Sequence, residues 1–204
     1  MAKIELNLLI RSSPVFPVVV SGPSGVGKTS IVEGALKLRP RWRYSISTTT
    51  RELRGDEISG RAYDFISDTE FRTRMAAGKF LETAEVHGHL YGTPRERLEN
   101  WIGEGHIVLL NIDVQGGSSL KKAFRDGVFV FVLPPSLEVL ESRLRRRGTD
   151  PDEVVRRRLE NARAELERVS EYSYVIVNDD LELATRQLVS IVDAEQCRIE
   201  RRMK

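Results

Sequence analysis

Gly22-Pro23-Ser24-Gly25-Val26-Gly27-Lys28-Thr29 has the spacing G-x-x-x-x-G-K-[ST], in which a short loop wraps the phosphates of a nucleotide. Its glycines allow backbone torsions that a side chain forbids, so several N–H groups converge on one anion. Lys28 would bring an ammonium to the β/γ-phosphates. Thr29 would offer its hydroxyl to Mg²⁺, an ion held largely through phosphates and water. Further along, Arg51 and Arg54 stand three apart behind a Ser/Thr run. Planar guanidinium forks of this kind bind two phosphate oxygens at once, and Tyr63 and Tyr91 add phenolic donors. Arg143, Arg147 and Arg158 would suit a transition state in which a phosphoryl group moves and its charge must be neutralised. The chemistry that these residues favour is nucleotide binding and phosphoryl transfer.

Elements must hold such residues in place, and four short apolar runs organise the chain: Val15–Val20, Ile107–Ile112, Val128–Leu133 and Tyr174–Val177. Continuous rather than alternating runs predict strands buried on both faces. After the phosphate loop, Ile31, Val32, Ala35 and Leu36 recur at helical spacing. Leu137, Leu140 and Leu144 share one helical face, as do Val155, Leu159, Ala162, Leu166 and Val169. Asp150-Pro151-Asp152-Glu153 has the form of a helix start. Alternating strands and helices predict an α/β fold, a mostly parallel sheet flanked by helices. The stretch from about Ser47 to Gly105 breaks that alternation and reads as an insertion with its own task. At 204 residues one domain is expected, with apolar and charged contents of 40% and 30% that fit a globular enzyme. The net charge of +2 calls for neither nucleic acid nor an anionic membrane as partner. Cys197 is the single cysteine, which excludes an internal disulfide. Ile4 to Ile10 is too short and interrupted for a signal peptide, so a cytoplasmic location is the expectation.

Several blocks together resemble the guanylate kinase family. Ser45 to Glu57 matches its signature S-x-S-x-T-T-R-x-x-R-x-x-E. Gly60 to Phe65, Phe80-Leu81-Glu82, Tyr91-Gly92-Thr93, Ile112 to Gly116, Arg147-Gly148-Thr149 and Val177-Asn178-Asp179 follow in the family's order, from about residue 15 to 195. The resemblance implies a phosphate-loop nucleotide kinase fold and the reaction MgATP + GMP ⇌ ADP + GDP, with dGMP as a second acceptor, serving purine nucleotide metabolism. It implies a nucleotide-binding core (15–46, 106–142 and 169–204), a GMP-binding insert (47–105) and a helical lid (143–168). By the same resemblance Ser47, Arg51, Arg54, Tyr63, Glu82, Tyr91, Thr93 and Asp113 bind GMP, and residues 22–29 with Arg143 and Asn178 bind ATP. Lys28, Arg51, Arg147 and Arg158 would be the catalytic set, and the assembly a monomer or small homo-oligomer.

Physical chemistry fits those roles without settling each of them. Guanine's Watson–Crick edge presents two donors that a carboxylate such as Glu82 accepts, whereas adenine offers an acceptor at N1. Such a mismatch is worth about 10⁴-fold. Read alone, Glu82 also suits a helix end, Asp113 a strand-end cap, Asn178 a turn, and the arginine clusters a solvated face. His87, His89 and His106 lack the partners of a metal site. One position departs from the family: Asn111-Ile112-Asp113 has an amide where an acid usually stands, which should weaken Mg²⁺ affinity. Two rival readings are a kinase of a ribose bisphosphate and a non-catalytic phosphopeptide-binding module. The acid pair Glu82 and Asp113 speaks against the first, and the joint presence of Lys28, Thr29, Arg147 and Arg158 against the second.

Overall fold

Valine-rich runs become central strands when helices cover both faces of a sheet, and the computed structural model has that layering. It describes residues 13–53, 57–61, 63–86, 88–146 and 152–203. Among these, a five-stranded sheet contains β1 (Pro17–Ser21), β2 (Arg43–Ser45), β7 (Val108–Asn111), β8 (Val128–Leu133) and β9 (Tyr174–Val177). The order is β2-β7-β1-β8-β9, and all four pairings are parallel. Val18 and Val20 face one core, with Ile31, Ala35, Val130, Ile176 and Leu188. Val19 faces the other, with Leu98, Leu110, Leu120 and Phe129. This alternation is the two-residue period of a strand. Each such valine, isoleucine, leucine or phenylalanine, fully buried, contributes roughly 1.5–3 kcal/mol.

The helices on those faces are α1 (Lys28–Leu38), α3 (Arg95–Gly103), α4 (Val114–Ala123) and α7 (Leu181–Gln196). A short α8 (Ile199–Arg202) ends the described chain. Helices α5 (Leu137–Arg146) and α6 (Asp152–Leu166) pack on each other through their own cluster of Leu140, Leu144, Val155 and Ala162. Val169 lies beyond α6 in a 3₁₀ turn (Glu167–Glu171), so the anticipated stripe is one turn shorter as α-helix. The helix start at Asp150-Pro151, the N-terminal residues 1–12 and His87 lie outside the described residues. No described helix is long and apolar enough to cross a membrane.

Residues 47–105 contain a second sheet, ordered β4-β3-β6-β5. Its strands are β3 (Thr48–Thr49), β4 (Asp64–Phe65), β5 (Phe80–Val86) and β6 (His89–Pro94). Helix α2 (Asp68–Ala76) stacks Phe71 on Phe80 at 4.6 Å and begins at Ser67, whose hydroxyl accepts from the Glu70 N–H. Between Phe80 and Thr83 the register of β5 slips against β6, so that Leu81 and Glu82 together face Thr93. Such a bulge re-aims a side chain, and the residue inside it that becomes buried is Glu82.

Candidate active site

The phosphate loop, residues 22–29, joins β1 to α1 at the C-terminal edge of the parallel sheet, where ligands of open α/β folds bind. Helix α1 starts at Lys28, so its unpaired N–H groups and positive end meet the loop. Gly25 packs against Leu140 and Leu144 of α5, Val26 is fully buried and Ser24 is exposed at the tip. The Lys28 ammonium donates to the Gly22 carbonyl at 2.6 Å and the Pro23 carbonyl at 3.0 Å, holding the loop closed over its own side chain. Asn111 ends β7 in register with Val20 of β1, and its amide donates to the Thr29 hydroxyl at 2.9 Å. Two further groups reach the loop. Asn178, just after β9, donates from its amide to the Val26 carbonyl at 2.7 Å, and Arg143 donates to the Asn178 carbonyl at 2.9 Å.

The second sheet presents a different chemistry. Glu82 is held in the bulge of β5, where the Thr93 hydroxyl donates to Oε1 at 2.7 Å. Burial pushes its pKa from 4.5 to about 7; the Thr93 hydrogen bonds oppose the rise and the charge of Asp113 adds to it. A Cβ at Gly116 would meet Glu82 Oε2 at 2.9 Å, so the glycine lets α4 close onto the carboxylate. Asp113 caps that helix, accepting from the N–H groups of Gln115 at 2.8 Å and Gly116 at 2.9 Å. Arg51 is 6% exposed, and its fork grips the Glu57 carboxylate at 2.9 and 2.8 Å. Its guanidinium lies 5.3 Å from the centre of the Tyr63 ring and 5.4 Å from that of Phe65. Tyr63 and Tyr91 meet edge to face at 5.8 Å, and burial raises the Tyr63 phenol above its ordinary range. Ser47 sits beside this group, its carbonyl accepting from the Asp64 N–H at 2.9 Å.

Helix α6 completes the surroundings. Arg158 is only 8% exposed, unusual for an arginine, and lies between Val155 and Ala162 on the packed face. Seven residues on, Glu165 shares that face. Burial raises its pKa, the Lys28 ammonium opposes the rise, and the Asp113 carboxylate adds to it. Lys28 and Asp113 thus both act on Glu165, and Asp113 acts on Glu82. Arg54 and Arg147 lie outside the described residues.

The geometry sharpens several expectations. Thr93 stands behind Glu82 as its hydrogen-bond donor, and Asp113 does cap a helix, with one oxygen. Asn178 and Arg143 meet on the backbone of the phosphate loop. Two residues escaped the sequence reading as site residues. Glu57, six positions after Arg51, was legible only as a motif position. Glu165 was not singled out, since nothing in its spacing separates it from the other acids of its helix.

Comparison with known proteins places this geometry in a family. A family model described as guanylate kinase matches residues 15–195. A guanylate kinase of Desulfitobacterium hafniense is 45% identical over 185 residues, which are 91% of this chain and 92% of that protein. One of Aromatoleum aromaticum is 48% identical over 181 residues, 89% of either chain. The crystal structure of guanylate kinase from Anaplasma phagocytophilum matches with a TM-score of 0.76 at 34% identity, covering 93% of this chain and 90% of that one.

Proposed function

The chain belongs to the guanylate kinase family, and from that premise we propose how its residues divide the transfer of a phosphoryl group from ATP to GMP. The observation that supports the division is that the buried Glu82 carboxylate feels the charge of Asp113, and Glu165 feels both Asp113 and the Lys28 ammonium of the phosphate loop. Residues 22–29 hold the triphosphate, with Lys28 moving its ammonium from the Gly22 and Pro23 carbonyls onto the β/γ-oxygens. Ser47, Glu82 and Asp113 take the guanine of GMP or dGMP, Glu82 accepting from N1–H and the amino group while Thr93 holds the carboxylate in place. Arg51, Arg54, Tyr63 and Tyr91 take its phosphate. For this, the acceptor phosphate must share or displace Glu57 at the Arg51 fork. Arg147 and Arg158 would neutralise charge as the phosphoryl moves, a role worth about 10³–10⁵ in turnover. A kinase of ribose bisphosphates would have no use for the acid pair.

In this reading 15–46, 106–142 and 169–204 form the core, 47–105 the acceptor-binding insert and 143–168 the lid. The Thr29 hydroxyl is a hard oxygen donor of the kind Mg²⁺ takes beside phosphate oxygens and water. When bound with the nucleotide, Mg²⁺ would supply neutralisation of the phosphate charge during transfer. Closure of lid and insert excludes water, which would otherwise hydrolyse the donor.

Lys28→Ala tests the assignment of the loop. Turnover should fall by roughly 10²–10³-fold, as when one transition-state donor is removed, with the circular-dichroism spectrum and melting temperature near those of the wild type. Near-normal turnover would contradict it.

A further inference from the structure

Asn178 is 5% exposed and fixed on several sides. Its N–H donates to the Leu133 carbonyl at 2.8 Å, and its carbonyl accepts from Arg143 Nη2 at 2.9 Å. Its side-chain nitrogen Nδ2 donates to the Val26 carbonyl at 2.7 Å, a buried contact that spans 152 residues of sequence. The other terminal nitrogen of Arg143, Nη1, points to the same carbonyl at 3.4 Å. One carbonyl of the phosphate loop thus takes donors from two elements, α5 and the end of β9. Gly27 follows with φ of 98°, and a Cβ there would meet Asn178 Nδ2 at 2.2 Å. The glycine is required twice, by its torsion and by the amide that occupies its side-chain space.

A trans peptide is a rigid plane whose C=O and N–H point to opposite sides. The carbonyl of Val26 and the N–H of Gly27 belong to the same plane. Pinning the carbonyl on Asn178 therefore fixes the direction of the Gly27 N–H on the other side. Were the plane to turn over, a carbonyl dipole would face an anion in the loop instead of a donor. The arrangement costs nothing at the moment of binding, because the donors are already in place.

We propose that Asn178 is a positioning residue for the donor triphosphate. Its amide, seconded by Arg143, locks the Val26–Gly27 peptide with its carbonyl outward and its N–H toward the phosphates. Its part in ATP binding is exerted through the loop and not on the adenine base. This rests on the reading of residues 22–29 as the triphosphate site.

The test compares wild type with Asn178→Ala, Asn178→Asp and Asn178→Ser at saturating GMP. KM and kcat are measured with MgATP and with MgITP, whose base differs at the positions an amide would read, and inhibition by inorganic tripolyphosphate is measured alongside. For Asn178→Ala, KM for both donors and the tripolyphosphate inhibition constant should rise together by about tenfold, the worth of one hydrogen bond to a buried carbonyl. The ATP/ITP ratio of kcat/KM, and the KM for GMP measured separately at saturating MgATP, should stay within twofold of wild type. Asn178→Asp, isosteric but without a donor toward Val26, should do at least as much harm. Asn178→Ser, which keeps a donor, should recover part of the loss. If the alanine variant does not fold, the Asp and Ser variants carry the same comparison. A changed ATP/ITP ratio with unchanged tripolyphosphate inhibition would make Asn178 a base reader and overturn the proposal. No change in either would reduce the amide to a strand-end cap and overturn it equally. A wild-type enzyme that uses ATP but ignores tripolyphosphate would remove the brace while sparing the kinase. One that neither binds ATP nor is inhibited would remove the phosphate-loop reading itself.

Discussion

Glu82 is where a single side chain decides most. Its pKa stands at about 7 because burial penalises the carboxylate more than the Thr93 hydroxyl relieves it, and Asp113 adds repulsion. An acid whose native pKa is raised keeps a proton that the unfolded chain has already lost. Between about pH 4.5 and 7 the native state binds more protons, so stability falls as pH rises through that window, by about 3 kcal/mol in all. The strain is present in full above pH 7, where Glu82 has the ionised form that its proposed role toward guanine requires. We expect KM for GMP to climb as pH drops below about 7, approaching tenfold per unit, beyond the titration of GMP itself. Glu82→Gln should raise KM for GMP by roughly 10- to 100-fold, lose that extra pH dependence and melt higher than wild type at pH 8. A pH profile identical in both proteins would show that Glu82 does not carry the guanine. At this scale the sequence named the residues proposed for the site, because the resemblance carried residue identities. It did not reveal which groups stand behind others. Thr93 on Glu82, Glu57 on Arg51 and Glu165 near Lys28 are pairings made by the fold, between residues that spacing alone does not connect.

Strand register does for Asn111 what the bulge of β5 does for Glu82. Parallel pairing of β1 and β7 sets Val20 against Asn111, so the last side chain of β7 lands beside Thr29 at the head of α1. A neutral amide donates into the hydroxyl there, occupying a lone pair and supplying no charge. Asn111→Asp would let the hydroxyl donate instead and place a negative charge near the cation, worth about 1 kcal/mol across a water layer. Half-saturating Mg²⁺ should fall several-fold, both for turnover and for direct titration of the nucleotide complex. An unchanged requirement by both measures would sink the idea. The long elements were legible, since apolar runs and heptad-like spacings report burial directly. The short ones were not. β2 is a three-residue edge strand with a polar sequence, and α2 has one buried residue, Phe71, so neither carries a period. The Ser67-x-x-Glu70 start of α2 was a readable signal that went unused.

Taken whole, the molecule has a parallel sheet that carries the phosphate loop and a second sheet that carries Glu82 and leads into Arg51. A pair of helices with its own small core stands over the loop. The alternation of strands and helices made the first sheet readable. Half of the second was not, because β3 and β4 have two residues each and are defined by long-range pairing and not by any local pattern. What joins the parts is the demand that one polyanion be brought against another with water kept out. The central claim is that this cleft passes phosphate from ATP to a guanine nucleotide and to no other base. The direct measurement is ADP formation from MgATP with GMP, dGMP, AMP, CMP and UMP offered one at a time, beside a control without acceptor. Turnover confined to GMP and dGMP is the predicted result; comparable rates with AMP, CMP or UMP, or none with any acceptor, would contradict it.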